Sequence, residues 1–401
     1  MKSIYTQPAE RLGQIRCTPH YSSIRAWLDH LRVIAELPYP SWALMPLLTS
    51  LIRQKVAGTV FSFAWFSKHQ SLPMALWVDP VNTTAYQGFM AHHERIFSEL
   101  PFSVMWSTRG RIIRDTENHP AYVQSTVYRE VFVPYNIHWG MAVPVPMSGS
   151  CNGIMNICRP RDGGAFTDND WQTWDQVSLA LTDLDRPQHP FSSLPGAPFC
   201  REAETTSLWL GNDGQFLAQG ARTRDLLFLA QRCGMASTDW MLPDVRALPA
   251  NVRSAAEALI SSREPTGCRE ITLLYPWGRF DFMLEKMAVV DHLRDTRISV
   301  VIHYHEPLDV AVARALWGWP LSPQEKRILI ASARHPTQSE LAQALGLTVG
   351  TLKNYINKMQ ARLQMASREE IIDAVLSSQP GIRTTINCSP RQMESDTPAG
   401  G

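Results

Sequence analysis

The sequence lacks several features that would assign it to a class directly. No apolar run approaches the ~18 residues of a membrane-spanning helix, and the segment Met1–His20 has no uninterrupted apolar core of a secretion signal. The formal net charge is only +1 over 401 residues, so no global field draws the chain onto nucleic acid or acidic lipid. Seven cysteines are scattered without a C-x-x-C pair, which favours reduced thiols over disulfides or a zinc site. We therefore expect a soluble, cytoplasmic protein with no membrane partner.

Catalytic and cofactor signatures are missing as well. There is no G-x-S-x-G nucleophile motif and no G-x-x-x-x-G-K-[ST] phosphate-binding loop. The segments His92–Glu94 and His303–Glu306 offer no third ligand at a spacing that fits a metal ion. Only Glu10 stands where a phosphorylated receiver domain would carry an acidic pair near its N-terminus. We expect no enzyme activity, no catalytic residue, no cofactor and no metal.

The composition is that of a folded chain with more than one domain. Apolar residues make up 44% and charged residues 19% of a length that exceeds what one core usually organises. Between Arg186 and Thr206, four prolines prevent regular structure and indicate a domain boundary. We predict a helical extension over 1–37, a sheet domain over 38–185, a Pro-rich linker over 186–206, a second sheet domain over 207–310, a helical domain over 311–377 and a disordered tail over 378–401.

Strand patterns support the two sheet domains. In the first domain the predicted strands are GTVFSFAWF, PMALWV, HWGMAVPVPM and CNGIMNICRP, followed by the helix DNDWQTWDQVSLALTDL. In the second domain a hairpin turns at Asn212-Asp213-Gly214, and further strands are REITLLYP, RFDFMLEKMA and RISVVIHYH.

Three helix-start signals follow Leu321. A serine or threonine precedes a glutamate by three residues in Ser322–Glu325, Thr337–Glu340 and Ser367–Glu370. In each pair we expect the hydroxyl to accept a backbone N–H and the glutamate to reach back toward the cap. Three capping boxes so close together predict a compact bundle of short helices.

The second and third helices of this bundle form a helix-turn-helix pattern. Gly346 ends the second helix, since glycine enters the left-handed conformation without steric cost, and Thr348 caps the third. From Thr348 to Gln364 there are three basic residues and no acidic one. The apolar stripe predicted to pack inward is Leu352, Ile356, Met359 and Leu363. The outward side chains are Lys353, Asn354, Asn357 and Lys358, which can contact phosphates or base edges.

The motifs L-S-P-Q-E, T-Q-S-E-L-A-Q-A-L-G-L-T and T-L-K-N-Y-I-N-K-M-Q-A-R-L resemble the LuxR-type (GerE-like) DNA-binding domain without gaps. The resemblance covers Leu321 to about Leu376 and implies that the final helix, Glu369–Leu376, dimerises. It implies base contacts from Lys353, Asn354 and Asn357, and phosphate contacts from Thr337, Thr348, Thr351 and Tyr355. Lys358 completes the predicted DNA-binding set. The chain departs from the family pattern at Ser339, Tyr355 and Asn357.

The upstream region resembles known sensor domains. The motifs W-G-M-A-V-P-V-P-M, G-I-M-N-I-C-R and F-T-D-N-D-W make residues 38–184 similar to a GAF domain, which often holds a small molecule above its sheet. Residues 207–305 resemble a PAS-like sheet. The aromatic side chains that either line a cavity or form the core are Phe61, Phe63, Trp65, Trp77, Trp106, Tyr122, Tyr128, Phe132, Tyr135 and Trp139.

Together these patterns predict an α+β chain, with GAF- and PAS-like antiparallel-sheet domains followed by an all-α four-helix helix-turn-helix domain. The function expected is a ligand-responsive transcription regulator that binds duplex DNA as a homodimer, with RNA polymerase as a candidate partner. One alternative is that the N-terminal half only dimerises or docks a protein and senses no small molecule. Another makes that half an enzyme tethered to DNA. In the last helix we expect Val375 to be an exposed member of the dimer contact.

Overall fold

The structure, a computed structural model, describes residues 23–67, 73–79, 83–99, 120–147, 151–185, 198–200, 203–231, 242–289 and 292–378. It combines helices with two antiparallel sheets, which confirms the α+β class. The predicted tail and Trp106 lie outside the described residues.

The first unit contains four strands and the helices around them. Its elements are α1 (Ile24–Ala35), α2 (Ser41–Ile52), β1 (Val60–Ser67), β2 (Pro73–Asp79), α3 (Thr83–Glu99), α4 (Pro120–Val123), a π-helical turn (Val127–Phe132), β3 (Trp139–Val145), β4 (Cys151–Arg159) and α5 (Asp168–Ala180). The strands pair in the order β2-β1-β4-β3, all antiparallel. Helix α1, predicted as part of a separate extension, packs on α2 and α5 and so belongs to this unit.

One face of this sheet is filled by large aromatic rings. Phe61, Phe63 and Trp65 of β1 and Trp77 of β2 point to it, and all four are buried. The indole N–H of Trp65 donates to the Ser41 hydroxyl at 2.8 Å, which ties the sheet to α2. This aromatic face is therefore part of the hydrophobic core.

The second unit contains five strands. Its elements are β5 (Glu204–Leu210), β6 (Phe216–Gln219), α6 (Thr223–Ala230), α7 (Ala250–Ser261), β7 (Gly267–Tyr275), β8 (Gly278–Val289) and β9 (His292–His305). The order is β6-β5-β9-β8-β7, or 2-1-5-4-3 in order of appearance. The predicted hairpin is present, with Gly214 at φ 79°. Helices α6 and α7 pack against strands of this sheet.

The two sheet units share a core. Phe228 of α6 lies against Trp42, Trp65 and Trp77 of the first unit, with ring centroids 4.9 Å apart for Trp77. Trp277 of the second unit meets Trp42 edge to face at 4.5 Å. Because these rings are buried, the units are joined by apolar packing as well as by the chain.

The C-terminal region is entirely helical. It contains α8 (Leu308–Ala315), α9 (Pro323–Ser332), α10 (Gln338–Ala344), α11 (Val349–Leu363) and α12 (Arg368–Ser377). Helices α9 to α12 enclose a small core, and α8 packs on both α9 and α12. The predicted domain boundary at residue 311 thus falls inside α8. None of the described helices is long and apolar enough to cross a membrane.

Candidate nucleic-acid interface and ligand site

The turn between α10 and α11 is fixed by backbone hydrogen bonds. Gly346 has φ 63°, and its N–H donates to the Gln343 carbonyl at 3.1 Å. The N–H of Leu347 donates to the Ala342 carbonyl at 2.8 Å. This pair of bonds is a Schellman motif, which satisfies the last carbonyls of α10 and turns the chain sharply. The prediction that Gly346 ends the helix is confirmed.

Helix α11 begins at a threonine cap. The Thr348 hydroxyl accepts the Thr351 N–H at 3.1 Å, and the two hydroxyls are 2.9 Å apart. This leaves both threonines exposed at the positive end of the helix dipole, where anions are favoured. The third threonine of the predicted set, Thr337, caps α10 and is also exposed.

The two sides of α11 separate as the sequence predicts. Leu352, Ile356, Met359 and Leu363 are buried. Lys353, Asn354, Asn357 and Lys358 are all exposed. Tyr355 differs from them because it is half-buried and packs against the core. The structure therefore brings four polar side chains onto one open surface, which we call the α11 surface (Lys353, Asn354, Asn357 and Lys358).

The basic charge of α11 is smaller than its sequence indicates. Arg362 donates to the Glu325 carboxylate at 2.8 Å, so it joins α11 to α9. Burial acts to raise the pKa of Glu325, but hydrogen bonds from Arg362 and from Ser322 outweigh it, and the pKa is lowered. Lys353 and Lys358 are also exposed, and no ion pair is found for either of them among the described residues.

Two of the three predicted capping boxes are complete. Ser322 and Thr337 each cap a helix while Glu325 and Glu340 reach back to the cap N–H. At α12 the Ser367 hydroxyl accepts the Glu370 N–H at 3.0 Å, but the Glu370 carboxylate accepts from Ala366 at 2.7 Å. In the third box the glutamate therefore accepts from the N–H of Ala366, the residue before the cap, and not from that of the cap residue Ser367.

The expectation for Val375 is wrong. Val375 and Ile371 are fully buried in the domain's own core, and only Ile372 and Leu376 stay half-buried. Helix α12 also packs against α8. This leaves little apolar surface on α12 for a partner.

Sequence reasoning missed a polar contact between α9 and the first unit, which we call the α9 clamp (Lys326, Arg327 and Arg334). Arg327 makes two hydrogen bonds of 2.6 Å to Glu36, just after α1. Arg334 donates to Asp309 at 2.5 Å and also to the Tyr39 hydroxyl. Glu36 and Tyr39 are each nearly 300 residues from their arginine partner in the sequence, so no local pattern could reveal these contacts.

The third member of the clamp is a buried lysine. The Lys326 ammonium lies 3.2 Å from Nδ1 of His30, and both residues are buried. Burial lowers the pKa of Lys326 to about 8. Burial and the Lys326 charge together lower the pKa of His30 well below 6.5, which keeps the imidazole neutral and able to accept.

The predicted aromatic set divides between the two faces of the first sheet. Phe61, Phe63, Trp65 and Trp77 lie on the aromatic face, where they are core. Tyr122, Tyr128 and Phe132 form a ring cluster in the helical segment that precedes β3. Trp139 lies at the start of β3 and donates to the Arg161 carbonyl, while Tyr135 is half-buried.

A row of short or polar side chains crosses the opposite face of that sheet. Val78, Ser62, Asn156 and Ala142 are paired in one row across all four strands. The Asn156 amide donates to the Ser62 hydroxyl at 3.2 Å, and both residues remain partly accessible although they lie on the two central strands. Solvent-accessible space therefore reaches the centre of this face, which we call the polar face.

Tyrosine hydroxyls lie on the same side of the sheet. Tyr122 lies beside the Cys158 thiol of the polar face, and burial strongly raises the pKa of its phenol. The Tyr122 hydroxyl is buried with no hydrogen-bond partner among the described residues. The Tyr128 hydroxyl, by contrast, is 2.7 Å from Nδ1 of His138. A buried, unsatisfied hydroxyl is costly, so this region fits a polar ligand group.

The histidine segments show no metal geometry. His303 lies 2.9 Å from the Thr205 hydroxyl, and His305 lies 3.1 Å from the Cys200 carbonyl and 3.6 Å from Asp281. Across the described ranges no group of three His, Cys, Asp or Glu residues could hold a metal ion.

Comparison with known proteins finds low sequence identities and low TM-scores. No protein-family model matches the sequence, and no curated protein matches it. A structure of SdiA in complex with octanoyl-rac-glycerol is similar over 93% of this chain and 96% of its own, at 9% identity and a TM-score of 0.26. A Vibrio cholerae VqmA dimer, one of the LuxR-type receptors, covers 43% of this chain and 82% of its own, at 14% identity and a TM-score of 0.18. A phage VqmA–DPO complex covers 43% and 81%, at 19% identity and a TM-score of 0.16. At such TM-scores the function has to follow from this chain's own residues.

Proposed function

We propose that this chain is a ligand-responsive transcription regulator that binds duplex DNA as a homodimer through α10 and α11. The observation that carries the proposal is the α11 surface. A Schellman turn at Gly346 and a cap at Thr348 present four exposed lysine and asparagine side chains on a helix without acidic residues. A second helix of about this length, presented after a tight turn, fits the major groove.

The α11 surface offers both kinds of contact that DNA binding needs. Asn354 and Asn357 can pair bidentately with adenine, and Lys353 can bond to guanine. Thr348 and Thr351 at the helix N-terminus, with Lys358, suit phosphate oxygens. With only two exposed lysines on α11, one copy neutralises few phosphates, which favours two copies on neighbouring half-sites.

The test is DNA binding with a matched lysine variant. Sites would be selected from a random duplex library by the full chain, and affinity measured by electrophoretic mobility shift. We expect Lys353→Ala to weaken binding by about 1–3 kcal/mol, that is, about 5- to 150-fold. The control is Lys55→Ala, which removes another exposed lysine far from α11 along the chain. Equal affinity of wild type and Lys353→Ala would contradict the role of the α11 surface.

The polar face supports the ligand-responsive part of the proposal. Its short side chains, the accessible Ser62–Asn156 pair and the unsatisfied Tyr122 hydroxyl combine space with polar groups. Tyr122, just before the π-helical turn, lies beside Cys158 of the polar face, and that turn packs on α3.

Ligand binding can be tested by thermal shift of the full chain against a metabolite library. We expect a stabilising compound whose effect is lost in Ser62→Leu, which fills the polar face, and kept in Ser50→Leu on the exposed side of α2. If no compound acts, or if both variants respond like wild type, the alternative function gains support: an N-terminal half that only dimerises or docks a protein partner.

A further inference from the structure

One face of the five-stranded sheet, the outer face, carries exposed apolar side chains. On the inner face Leu208, Phe282 and Val300 are buried beneath α6 and α7. Trp209 and Met283 point the other way and are 39% and 42% exposed. Leu274, on the same outer face, is 65% exposed.

These outer side chains are not scattered. Strand register pairs Met283 with Val301 and places Trp209 opposite Ser299, two residues from Val301 on β9. Trp209, Val301 and Met283 therefore lie on one face of the adjacent strands β5, β9 and β8, with Trp209 diagonal to Val301, and we call these three residues the outer strip. Single exposed apolar residues are ordinary on a protein surface, but a strip that crosses three strands is typical of an interaction site.

Charges of both signs border the outer strip. Glu270 is the cross-strand neighbour of Met283, and Glu285 lies two residues further along β8. Arg279 is exposed at one end of the face, where it pairs with Asp281 at 3.0 Å, and Arg297 lies toward the other end. A face that carries an apolar centre with both acidic and basic borders is complementary to a copy of itself.

We infer that the outer face of this sheet is a homodimer interface, on which the outer strip of one protomer packs against that of a second copy. The inference rests on the proposed function, which requires two copies for two half-sites. Helix α12 cannot supply the whole contact, because Ile371 and Val375 are occupied within its own domain.

The size of the face fits this occupant. Five strands about 4.8 Å apart and about 8 residues long span roughly 20 by 27 Å, and a standard interface buries about 800 Å² per partner, so one sheet face supplies most of it. Trp209 and Met283 are the side chains best suited to the centre of this interface, since tryptophan and methionine are enriched in interface cores.

Sedimentation velocity of the full chain tests the interface. We expect wild type to be a dimer at micromolar concentration, and Trp209→Glu and Met283→Glu each to weaken dimerisation at least tenfold. The control is Leu179→Glu, which charges an exposed apolar residue of α5, 65% exposed, and should leave the dimer intact. Wild type that stays monomeric at tens of micromolar, or variants that dimerise like wild type, would overturn the inference.

A second measurement separates this inference from the proposed function. On DNA with a single half-site, both variants should keep wild-type affinity, which also shows that they are folded. On DNA with two half-sites they should lose cooperativity. If wild type binds no selected DNA, the proposed function fails, while the sedimentation result still decides the interface. If Trp209→Glu melts at a lower temperature than wild type, its loss of dimerisation could come from lost stability. In that case Met283→Glu alone tests the interface, because the methionine side chain is smaller and is 42% exposed.

Discussion

At the scale of single residues, the structure shows two tyrosines of one cluster in different environments. Tyr122 and Tyr128 stand in one ring cluster with centroids 5.4 Å apart. Only the Tyr128 hydroxyl has a partner, at His138, whereas that of Tyr122 is buried and unsatisfied among the described residues. The sequence predicted an aromatic cluster and could not tell these two apart.

Replacement of each tyrosine by phenylalanine should therefore have opposite effects. Tyr122→Phe removes an unsatisfied buried hydroxyl and should raise the free energy of unfolding by about 1 kcal/mol. Tyr128→Phe removes a hydrogen-bonded hydroxyl and should lower it by about 1 kcal/mol. Urea denaturation of both variants without added ligand measures this. Destabilisation by Tyr122→Phe would mean that its hydroxyl is satisfied in the free protein.

A second pair of residues tests backbone conformation at the ends of α10 and α11. Gln364 has φ 57° in a position where glycine is usual, and Gly346 has φ 63° with open space around an added Cβ. We expect Gln364→Gly to stabilise and Gly346→Ala to destabilise the C-terminal domain, each by about 1 kcal/mol. Hydrogen exchange of the α11 amides reports both changes. Effects of the same sign would show that packing, not the left-handed conformation, dominates at these turns.

At the scale of elements, the α9 clamp joins α9 to α1 through charged groups. Asp309 is buried and satisfied by Arg334 and Tyr39, so this part of the contact is well paired. Lys326 faces a neutral histidine, and its burial outweighs the attraction of Asp29, so the protonated form of the lysine is disfavoured. The two halves of the clamp should respond differently to pH.

Stability should rise as pH increases above about 8, because of Lys326. Its pKa in the folded chain is about 8, below the ordinary 10.5, so between these values the unfolded chain binds the proton that the folded chain has released. The free energy of unfolding then rises with pH across that window, by up to about 3 kcal/mol. Lys326→Met should be more stable than wild type at pH 7 and should lose this part of the pH dependence. Lys55→Met, at an exposed site, is the control; an unchanged slope in Lys326→Met would contradict the assignment.

At the scale of the whole molecule, three packing relations connect the proposed functions. The aromatic rings around Phe228 join the two sheet units, the α9 clamp joins α9 to the first unit, and α8, which follows β9 in the chain, packs on α12. Helix α11, which we propose as the DNA-binding helix, contacts α9 through the Arg362–Glu325 pair. We expect a ligand on the polar face to act on α11 through α9, which contacts both α1 of the first unit and α11.

The C-terminal domain should fold without the sheet units. Helices α9 to α12 pack on one another and have their own caps, while α8, the clamp and the His30–Trp317 ring contact connect them to the rest. We expect a fragment of residues 306–380, which keeps α8 whole, to be helical by circular dichroism and to bind a single half-site. A fragment of residues 311–380, which cuts α8, should melt at a lower temperature. If both are unfolded, the sheet units are part of the folding unit.

The sequence by itself determined the features that depend on neighbouring residues. The caps at Ser322 and Thr337, the turn at Gly346 and the division of α11 into apolar and polar sides all follow from spacing of four residues or fewer. Only the tertiary structure decided which predicted residues are available. Val375 is core because α12 lies on its own domain, and Arg362 is occupied because Glu325 lies opposite it. The clamp, the polar face and the outer strip join residues that are distant in the chain, and such contacts depend on how whole elements pack, which no local pattern encodes.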